Sequence, residues 1–498
     1  MPYTEILEPY PGKSEEVGNH CIHHLGHTPC PLDSVCFSVY LGGYTFMEDL
    51  FSLSMAQYTL ILGMISQTDF KNLSKLNTLT CAFEWKGGTV ERLQRIGNDL
   101  ISRNDCFRLV PVYRFPWHWR QYIRSFQPEK FEVVPFYTEE EYESWLQNEK
   151  DRGIRLLKDQ LYSIKVLRRA SGDLTLWIQM HHFLTDGYSM KLLAKEIRML
   201  NRCYEENLTV PPASSGSYRE FVEKEKEYRQ SKAFKEDQTY WREKLRMRRD
   251  FSFPGEKRSM KIDCDSKSIL LRGDLYEGLT SLQKELQVSM PSLLESMAAL
   301  LIYRIQGNTT FTFGTLNYGR MDGRSRQTMG CMMNSPPLLI EVNPEETFAS
   351  FAKRNYEEKL EMLRHIRFST LDVTPLSYGL CLSHGLNFNF NWILFSYMDY
   401  EAVFQESYPK GRMFWSNTNV SQLYAAIFDM PKNREICFEL RYQKKRFQEE
   451  NIKNLLVSYR YLIRDVLDHS GLLLKEFLEE KEGTSYDLGD AEKKSTVQ

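Results

Sequence analysis

Segments with strand-like patterning alternate with helix-like segments in both halves of the chain, and few architectures accommodate that order. Residues 161–168 and 174–180 are patterned as strands, and Ser171-Gly172-Asp173 supplies the turn between them. Residues 46–66 and 89–103 instead repeat apolar side chains at helical spacing. The alternation is irregular and shows no short repeat. It predicts an α/β fold in which helices flank mixed sheets, and not a barrel.

The length of the chain indicates more than one lobe. A single ordinary core does not grow to 498 residues. The clearest linker is the segment Pro211-Pro212-Ala213-Ser214-Ser215-Gly216-Ser217. We therefore predict an N-terminal lobe over residues 1–210, of which 1–45 form an extension, and a C-terminal lobe over 211–480. The charged, apolar-poor end of the chain predicts a disordered tail over 481–498.

Charge and composition exclude several functional classes. Lys and Arg number 64 against 66 Asp and Glu, and this balance gives no support to nucleic-acid binding. No apolar run approaches the ~20 residues that span a bilayer, and the first residues lack a secretory signal. Ten cysteines spread over so long a chain favour reduced thiols. We expect a cytoplasmic monomer that binds neither nucleic acid nor membrane.

A cysteine- and histidine-containing segment near the N-terminus raises the question of a metal site. Cys21, His23, His24, His27 and Cys30 are residue types that ligate zinc. Their spacing matches no zinc pattern, and the glycine and proline among them favour a loop. We therefore predict an extension that packs on the body of the protein, with a structural metal as the less favoured alternative.

The segment His181-His182-Phe183-Leu184-Thr185-Asp186-Gly187 carries the candidate chemistry. A buried-looking strand runs directly into it, and a helix is predicted from about 189 to 204. Imidazole titrates near neutrality and suits proton transfer. A single histidine at a strand end is usually structural, but an adjacent pair with Asp-Gly four residues later is much less expected by chance. Asp186 either orients His182 or pairs with a distant arginine.

This segment resembles the His-His-x-x-x-Asp-Gly signature of the condensation domains of nonribosomal peptide synthetases. These domains share a superfamily with chloramphenicol acetyltransferase and carnitine acyltransferases. Gly319-Arg320 stands where the family often has Gly-Arg. Four other segments resemble family motifs, in the family's order and over about residues 50–400: Ser54-Met55-Ala56-Gln57, Arg103-Asn104-Asp105-Cys106-Phe107-Arg108, Tyr218-Arg219-Glu220-Phe221 and Gly330-Cys331-Met332-Met333-Asn334.

The resemblance implies two chloramphenicol-acetyltransferase-like lobes arranged as a V-shaped pseudo-dimer, with the active site in a tunnel between them. It also implies that acyl or peptidyl carrier proteins deliver substrates on phosphopantetheine arms. A small-molecule acceptor and coenzyme A as donor carrier are alternatives, and no permanently bound cofactor is expected. The sequence has no Gly-x-Ser-x-Gly elbow and no cysteine in a catalytic context, so direct transfer is favoured over an acyl-enzyme.

The resemblance also assigns roles to individual residues. His182 matches the family's second histidine, a general base or a group that positions the nucleophile. Gly187 would help through its backbone N–H near the developing oxyanion, and His181 completes the catalytic set with an expected structural role. Asp186 matches a structural aspartate, for which we nominate Arg320 as the ion-pair partner. Two more residues are expected as tunnel or substrate contacts, Ser189 and Asn334.

Departures from the family pattern bear on the reaction. About 50 residues precede the first motif, and no adenylation or carrier sequence is present, which predicts a stand-alone enzyme. The altered 103–108 and 330–334 motifs put the usual amino-acyl acceptor in question, so a free amine, an alcohol or a carrier-bound polyketide remains open as acceptor.

Other activities of the superfamily differ from condensation in their sequence motifs. An epimerase would carry a late glutamate-containing motif, which is not clear here. A non-catalytic recruitment domain would have lost the histidines, whereas His181, His182 and Asp186 are intact. Heterocyclising relatives carry aspartates in place of the histidine pair, which excludes heterocyclisation.

Overall fold

The computed structural model describes residues 49–65, 74–114, 118–246, 261–374, 376, 393–419 and 421–477. The elements before the predicted linker are α1 (Met55–Ile65), β1 (Thr78–Trp85), α2 (Val90–Arg103), β2 (Leu109–Arg114), β3 (His118–Ile123), β4 (Glu132–Pro135), α3 (Glu139–Glu149), β5 (Tyr162–Arg168), β6 (Leu174–His181) and α4 (Gly187–Glu205). Those after it are α5 (Tyr218–Arg229), α6 (Lys232–Arg246), β7 (Cys264–Arg272), α7 (Asp274–Leu286), α8 (Met290–Gln306), β8 (Thr310–Thr315), β9 (Pro337–Glu341), α9 (Phe348–Arg364), β10 (Ile393–Asp399), β11 (Lys410–Trp415), β12 (Leu423–Met430), β13 (Glu435–Gln443) and α10 (Glu449–Asp468).

The first sheet has β6 at its centre and the strand order β11-β1-β6-β5-β4. β6 is antiparallel to both neighbours, and every one of its residues is buried. Helices α2 and α4 pack on one face of the sheet through residues such as Leu93 and Ile197. Trp177 on the other face packs in a cluster with Tyr142 and Leu146 of α3. Because both faces are covered, the strand runs entirely through the interior and ends at His181 there.

The second sheet is mixed and has the order β7-β13-β12-β10-β8-β9. β10 runs parallel to both its neighbours, β12 and β8. β13 is antiparallel to β12 and to β7, and β9 is antiparallel to β8. One face packs against α7, α8, α9 and α10, with Phe395 and Ile427 among its buried residues. Residues on the other face, such as Ser396 and Met398, are only partly buried. The predicted α/β class, with mixed sheets flanked by helices, is confirmed.

One strand of the first sheet comes from the far end of the chain. β11 pairs antiparallel with β1, from Leu79 opposite Trp415 to Glu84 opposite Lys410. The described residues from Phe51 onward group into one compact unit. The boundary predicted near residue 210 therefore stays a prediction, as do the V-shaped arrangement and the monomeric state.

Some predicted element bounds differ from the structure, and others fall outside the described residues. The helix predicted over residues 46–66 begins only at Met55, because Phe51 forms a β-bridge with Gln121 and cannot also be helical. The helix expected from about 189 begins at Gly187. The Cys/His segment at 21–30 and the tail at 481–498 lie outside the described residues.

The length and hydropathy of the helices bear on membrane insertion. Among the described residues, no single helix is long and apolar enough to cross a bilayer. Helices α7 and α8 have the length and apolar composition of a membrane span only when taken together, and they are bent by 103° at the break between them. Most of α8, from Leu293 to Tyr303, is buried in the hydrophobic core beside the second sheet.

Candidate active site

The end of β6 fixes where the two histidines stand. The His181 N–H donates to the Leu161 carbonyl at 2.8 Å, and the His182 N–H donates to the Asn77 carbonyl at 2.5 Å. A turn follows, in which the N–H groups of Leu184 and Thr185 donate to the carbonyls of the two histidines. The backbone at this point is therefore pinned on both sides before the chain enters α4.

Exposure divides the seven residues of the histidine segment sharply. His182 and Gly187 are partly exposed, whereas the five residues His181, Phe183, Leu184, Thr185 and Asp186 are buried. Two of the three residues predicted to be catalytic, His182 and Gly187, are thus the partly exposed ones.

His181 is a buried structural histidine, which corrects its place in the predicted catalytic set. Its side chain has 0% exposure, and its Nδ1 accepts a hydrogen bond from the Phe183 N–H at 3.0 Å. Burial, together with repulsion from His182, lowers the pKa of His181 to about 3. The ring is therefore neutral and closed off from solvent, and its hydrogen bond with the Phe183 N–H fixes the turn.

His182 presents a neutral imidazole at neutral pH. Burial lowers its pKa below the ordinary histidine value, while the charge of Asp186 opposes this shift. Its Nδ1 is buried and has no hydrogen-bond partner among the described residues. A neutral ring in this position can accept a proton.

Helix α4 begins immediately beside this imidazole. Asp186 is its N-cap, and Asp186 Oδ1 accepts from the Ser189 N–H at 2.9 Å. The Met190 N–H donates to the Asp186 carbonyl. The N–H groups of Gly187 and Tyr188, which precede these two, have no backbone partner in the described part of the chain. A helix start with free N–H groups carries partial positive charge and favours a developing oxyanion.

Asp186 forms the ion pair predicted from the sequence. Arg320 Nη1 lies 2.7 Å from Asp186 Oδ2, and the two side chains are 2% and 0% exposed. Oδ2 also accepts from the Met332 N–H at 3.0 Å. The Asp186 carboxylate is therefore occupied by structural partners, and it ties α4 to the two segments that carry Arg320 and Met332.

The rest of the Arg320 guanidinium binds backbone carbonyls. Nη1 donates to the Tyr318 carbonyl, and Nη2 donates to those of Thr328 and Gly330. The Tyr188 ring lies 4.6 Å from its central carbon. The guanidinium therefore holds two turns of the second half of the chain against the start of α4.

Gly319 is required by this arrangement. Its φ is +63°, a left-handed conformation that residues with a side chain rarely adopt. A Cβ at this position would collide with the Met332 carbonyl oxygen. The glycine thus permits the close approach that brings Arg320 and the Met332 N–H to the same carboxylate.

The structure does not support Ser189 as a tunnel or substrate contact. Its hydroxyl is buried, and its one hydrogen has two acceptors within reach, Asp186 Oδ1 at 2.9 Å and the Gly330 carbonyl at 3.1 Å. The same oxygen accepts from Arg320 Nη2 at 3.0 Å and from the Gly330 N–H at 3.0 Å. Its hydrogen-bonding capacity is used inside the ion-pair network.

Asn334 likewise has its side chain engaged within the protein. Its Nδ2 donates to the carbonyls of Ile366 and Phe368 at 2.8 and 3.1 Å. Its Oδ1 accepts from the N–H and hydroxyl of Thr370 at 2.9 and 2.7 Å. The expected substrate contact is therefore replaced by a structural role, in which Asn334 anchors the segment after α9.

Three of the remaining motifs converge on the same region. Gln57 Nε2 donates to the Phe183 carbonyl at 3.1 Å, within the histidine segment itself. The Tyr218 hydroxyl bonds to Ser54 Oγ and to the Cys331 carbonyl at 3.0 and 2.7 Å. A Cβ on Gly330 would collide with the Tyr218 ring. These motifs therefore build the support beneath the site and not its reacting surface.

The 103–108 motif contacts α4 further along that helix. Arg103 Nε lies 2.7 Å from Glu196 Oε1, and Asn104 Nδ2 donates to Glu196 Oε2 at 2.8 Å. Sequence reasoning did not identify Glu196, although a charged residue between apolar positions of a helix was a usable signal.

Tyr318 and Met398 were also not identified from the sequence. They lie against Gly187, with Tyr318 Cε1 3.6 Å and Met398 Cε 3.9 Å from where a Cβ on that glycine would stand. The adjacency of Tyr318 to Gly319-Arg320 was a signal for the first of them. Met398 gave none, because its position depends on how the second sheet meets α4.

Metal ligation finds no support in the part of the chain that the structure describes. No group of three or more His, Cys, Asp or Glu residues there is arranged to hold a metal ion. The groups that the described residues place at this site are an imidazole, a helix N-terminus and the side chains of Tyr318 and Met398.

Comparison with protein families gives a match over most of the chain. The family model described as Condensation domain matches residues 50–483. One of the plipastatin synthase proteins of Bacillus subtilis (strain 168) is 24% identical over 442 residues, which is 86% of this chain. The chain covers only 17% of the length of that protein and 8% of surfactin synthase subunit 1 of the same organism.

Solved structures show the same fold. The first condensation domain of the calcium-dependent antibiotic synthetase, solved with a substrate analogue, has a TM-score of 0.72 at 17% identity. The match covers 86% of this chain and 98% of that one. A variant of the starter condensation domain of rhizomide synthetase RzmA, solved with C8-CoA, gives 0.74 at 16% identity and covers 86% and 97% of the two chains.

Proposed function

Because this chain belongs to the condensation-domain family, we propose that it is a condensation enzyme of nonribosomal peptide or hybrid natural-product biosynthesis. It transfers an acyl or peptidyl group from a carrier-protein phosphopantetheine thioester to an amine or hydroxyl acceptor. The product is an amide or an ester. Condensation domains form amide bonds, which supports an acyltransferase activity in general.

The observation that carries the proposal is the selective exposure of His182 and Gly187. Every other residue of the segment is buried, and Asp186 is locked by Arg320. A reactant therefore meets one neutral imidazole and one helix N-terminus on a rigid support. Such an arrangement suits a reaction that needs a proton acceptor and a site for a developing negative charge.

The proposed step follows from these two groups. The acceptor nitrogen or oxygen attacks the thioester carbonyl carbon, and His182 Nε2 accepts the proton that the nucleophile loses. The Gly187 N–H stabilises the negative charge on the carbonyl oxygen. The C–S bond then breaks, the electron pair leaves with the thiolate, and the proton on His182 passes to that sulfur.

The magnitudes of these effects are sufficient for a thioester substrate. A positioned base contributes about 10²–10⁴-fold, and positioning contributes on the order of 7–11 kcal/mol in favourable cases. Since a thiolate leaves readily, no covalent acyl-enzyme is needed. This agrees with the absence of a catalytic serine or cysteine context in the sequence.

The chemistry of the proposed step also bears on which group carries the donor acyl chain. The RzmA starter domain was solved with C8-CoA, an acyl thioester on the same pantetheine arm that carrier proteins bear. A thioester on that arm fits the proposed step whether the arm belongs to a carrier protein or to coenzyme A. We place the carrier protein first and expect the reaction to take place in the cytoplasm.

An intact-mass experiment tests the function. A carrier protein loaded with a hexanoyl-phosphopantetheine arm is incubated with the full chain and a panel of amine and alcohol acceptors. Transfer predicts loss of the acyl mass from the carrier and appearance of the acylated acceptor. The loaded carrier without the chain measures background hydrolysis. A carrier that stays loaded, with hexanoyl-coenzyme A also unreacted, would contradict the proposal.

A further inference from the structure

Gly187 lies opposite two side chains from the second half of the chain. Tyr318 Cε1 and Met398 Cε are the two atoms nearest to the place of a Cβ on Gly187, at 3.6 and 3.9 Å. Gly187, Tyr318 and Met398 are all partly exposed, unlike the buried Asp186 and Arg320 beside them. The three residues are therefore not sealed in the interior.

The ring of Tyr318 is held in place from several directions. Its hydroxyl donates to the Tyr397 carbonyl at 2.8 Å, and its carbonyl accepts from Arg320 Nη1 at 2.9 Å. Its ring centroid lies 5.3 Å from that of Tyr188. A ring fixed by its hydroxyl, its backbone and a neighbouring ring cannot swing aside without breaking contacts, so it acts as a rigid wall.

Met398 extends this wall along β10. Side chains alternate along a strand, so Met398 shares its face with Ser396, whose hydroxyl accepts from the Tyr424 hydroxyl at 2.7 Å. Neighbouring Tyr397 points to the opposite face, and its hydroxyl donates to Asp429 at 2.6 Å. A hydrogen-bonded strand thus carries the methionine, whose flexible end makes it the softer part of the wall.

We infer that Tyr318 and Met398 form a steric filter that admits donor acyl groups unbranched at the carbon next to the thioester carbonyl and disfavours branched ones. The inference rests on the proposed function, in which the Gly187 N–H binds the carbonyl oxygen. The acyl α-carbon lies in the plane of that carbonyl, one bond from the carbon that carries the oxygen. A branch on the α-carbon would therefore press against the Tyr318 ring edge or the Met398 methyl group.

Two isomeric donors test the filter. The 2-methylbutanoyl and 3-methylbutanoyl thioesters of N-acetylcysteamine have the same size and differ only in whether the branch is on the α-carbon. With n-butylamine as acceptor, the kcat/KM ratio of the 3-methyl to the 2-methyl donor is measured for the full chain. Each value is divided by the uncatalysed aminolysis rate, which removes the intrinsic effect of branching.

Variants identify the side chains responsible. Tyr318→Ala should lower the corrected ratio by about ten-fold, the scale at which one methyl group is discriminated in a pocket. Tyr318→Phe keeps the ring and should keep the ratio. Met398→Ala loses no side-chain hydrogen bond and should lower the ratio as well, which provides a second test if Tyr318→Ala folds poorly. Tyr137→Ala, at a tyrosine that is 81% exposed, is the matched control for loss of a ring.

The outcomes separate the filter from the function. If the wild-type chain transfers the 3-methyl group and folded Tyr318→Ala and Met398→Ala keep its ratio, the filter is wrong and the proposed function stands. If the wild-type chain transfers neither group from these thioesters nor a hexanoyl group from a loaded carrier, the proposed function fails and the filter falls with it. A ratio that drops equally in Tyr137→Ala would also overturn the filter.

Discussion

Asp186 and Arg320 stand 134 positions apart in the chain, and their side chains meet at 2.7 Å in the protein interior. Both are almost inaccessible to water. The carboxylate caps α4, and the guanidinium binds the carbonyls of Tyr318, Thr328 and Gly330. This pair therefore joins the helix that begins beside His182 to the turns that contain Tyr318, Thr328 and Gly330.

Replacing Asp186 by Asn should lower the folded yield and the free energy of unfolding. The substitution leaves the Arg320 charge buried without its counter-charge, which costs about 3–5 kcal/mol when a buried pair is broken on one side. The measurements are the yield of folded protein and, on that protein, its melting temperature and its unfolding by chemical denaturant. An unchanged melting temperature and yield would show that the pair does not hold the site together.

Arg324→Met provides the matched control for that prediction. Arg324 lies in the same segment as Arg320, but its pair with Glu220 is 73% and 52% exposed. Exposed ion pairs contribute about 0–1 kcal/mol. We expect the melting temperature of this variant to stay near that of the wild type, so that burial and not charge alone explains the Asp186 effect.

His182→Ala should abolish product formation and leave the fold intact. His182 is partly exposed, so its truncation removes less core packing than truncation of a buried side chain would. Loss of a general base lowers kcat by about 10²–10⁴-fold. Intact-mass turnover and a melting curve are measured together, with His118→Ala at an exposed histidine as control. Wild-type turnover in folded His182→Ala would remove the imidazole from the mechanism.

The pH dependence of transfer should report the lowered pKa of His182. Burial disfavours the charged ring, so the neutral form persists to a pH below the ordinary value of about 6.5. Activity is present above the lowered pKa and falls as the pH drops through it, because the protonated ring cannot accept a proton. We expect the acid limb of log kcat/KM below about pH 6.5 when a hydroxyl acceptor, which does not titrate there, is used. A midpoint at or above about 6.5 would contradict a buried base.

Replacement by alanine should affect stability very differently at two glycines of the site. Gly319→Ala drives a Cβ into the Met332 carbonyl oxygen at a left-handed φ, so it should displace Met332 and destabilise the protein strongly. Gly187→Ala meets only ordinary contacts at 3.6 and 3.9 Å, and alanine suits a first helical turn. We expect its stability to change by no more than about 1 kcal/mol. Equal melting temperatures for the two variants would contradict the close approach at Gly319.

Local patterning in the sequence was enough to predict the elements that carry the histidines. The strand predicted over 174–180 is β6, which extends one residue further to His181, and the helix after the segment is α4, which begins two residues earlier than expected. The strand follows from a short-range rule, since an apolar run predicts a buried strand, whereas the helix start was expected two residues too late because Asp186 and not a later residue caps it. The order of the motifs similarly indicated Arg320 as the partner of Asp186.

Side-chain environment was predicted less well, because it depends on segments far apart in the chain. Ser189 and Asn334 are polar residues of the kind that often contact substrates. Their side chains instead form hydrogen bonds with the distant backbone carbonyls of Gly330 and Phe368. The sequence alone does not distinguish the environments of the adjacent residues His181 and His182. The single bond from the Phe183 N–H and the packing around β6 bury His181, whereas His182 remains accessible.

The sequence by itself determined the fold class, the strand-to-helix segment that carries the chemistry and the ion pair that supports it. These follow from periodicity, capping and motif order, which act over a few residues or reflect the family pattern. Only the tertiary structure decided which histidine is reachable, which polar residues are structural and which side chains face Gly187. Exposure and contact are set by packing between β6, α4 and the second sheet, and burial alone makes one imidazole inert and leaves its neighbour available as a base.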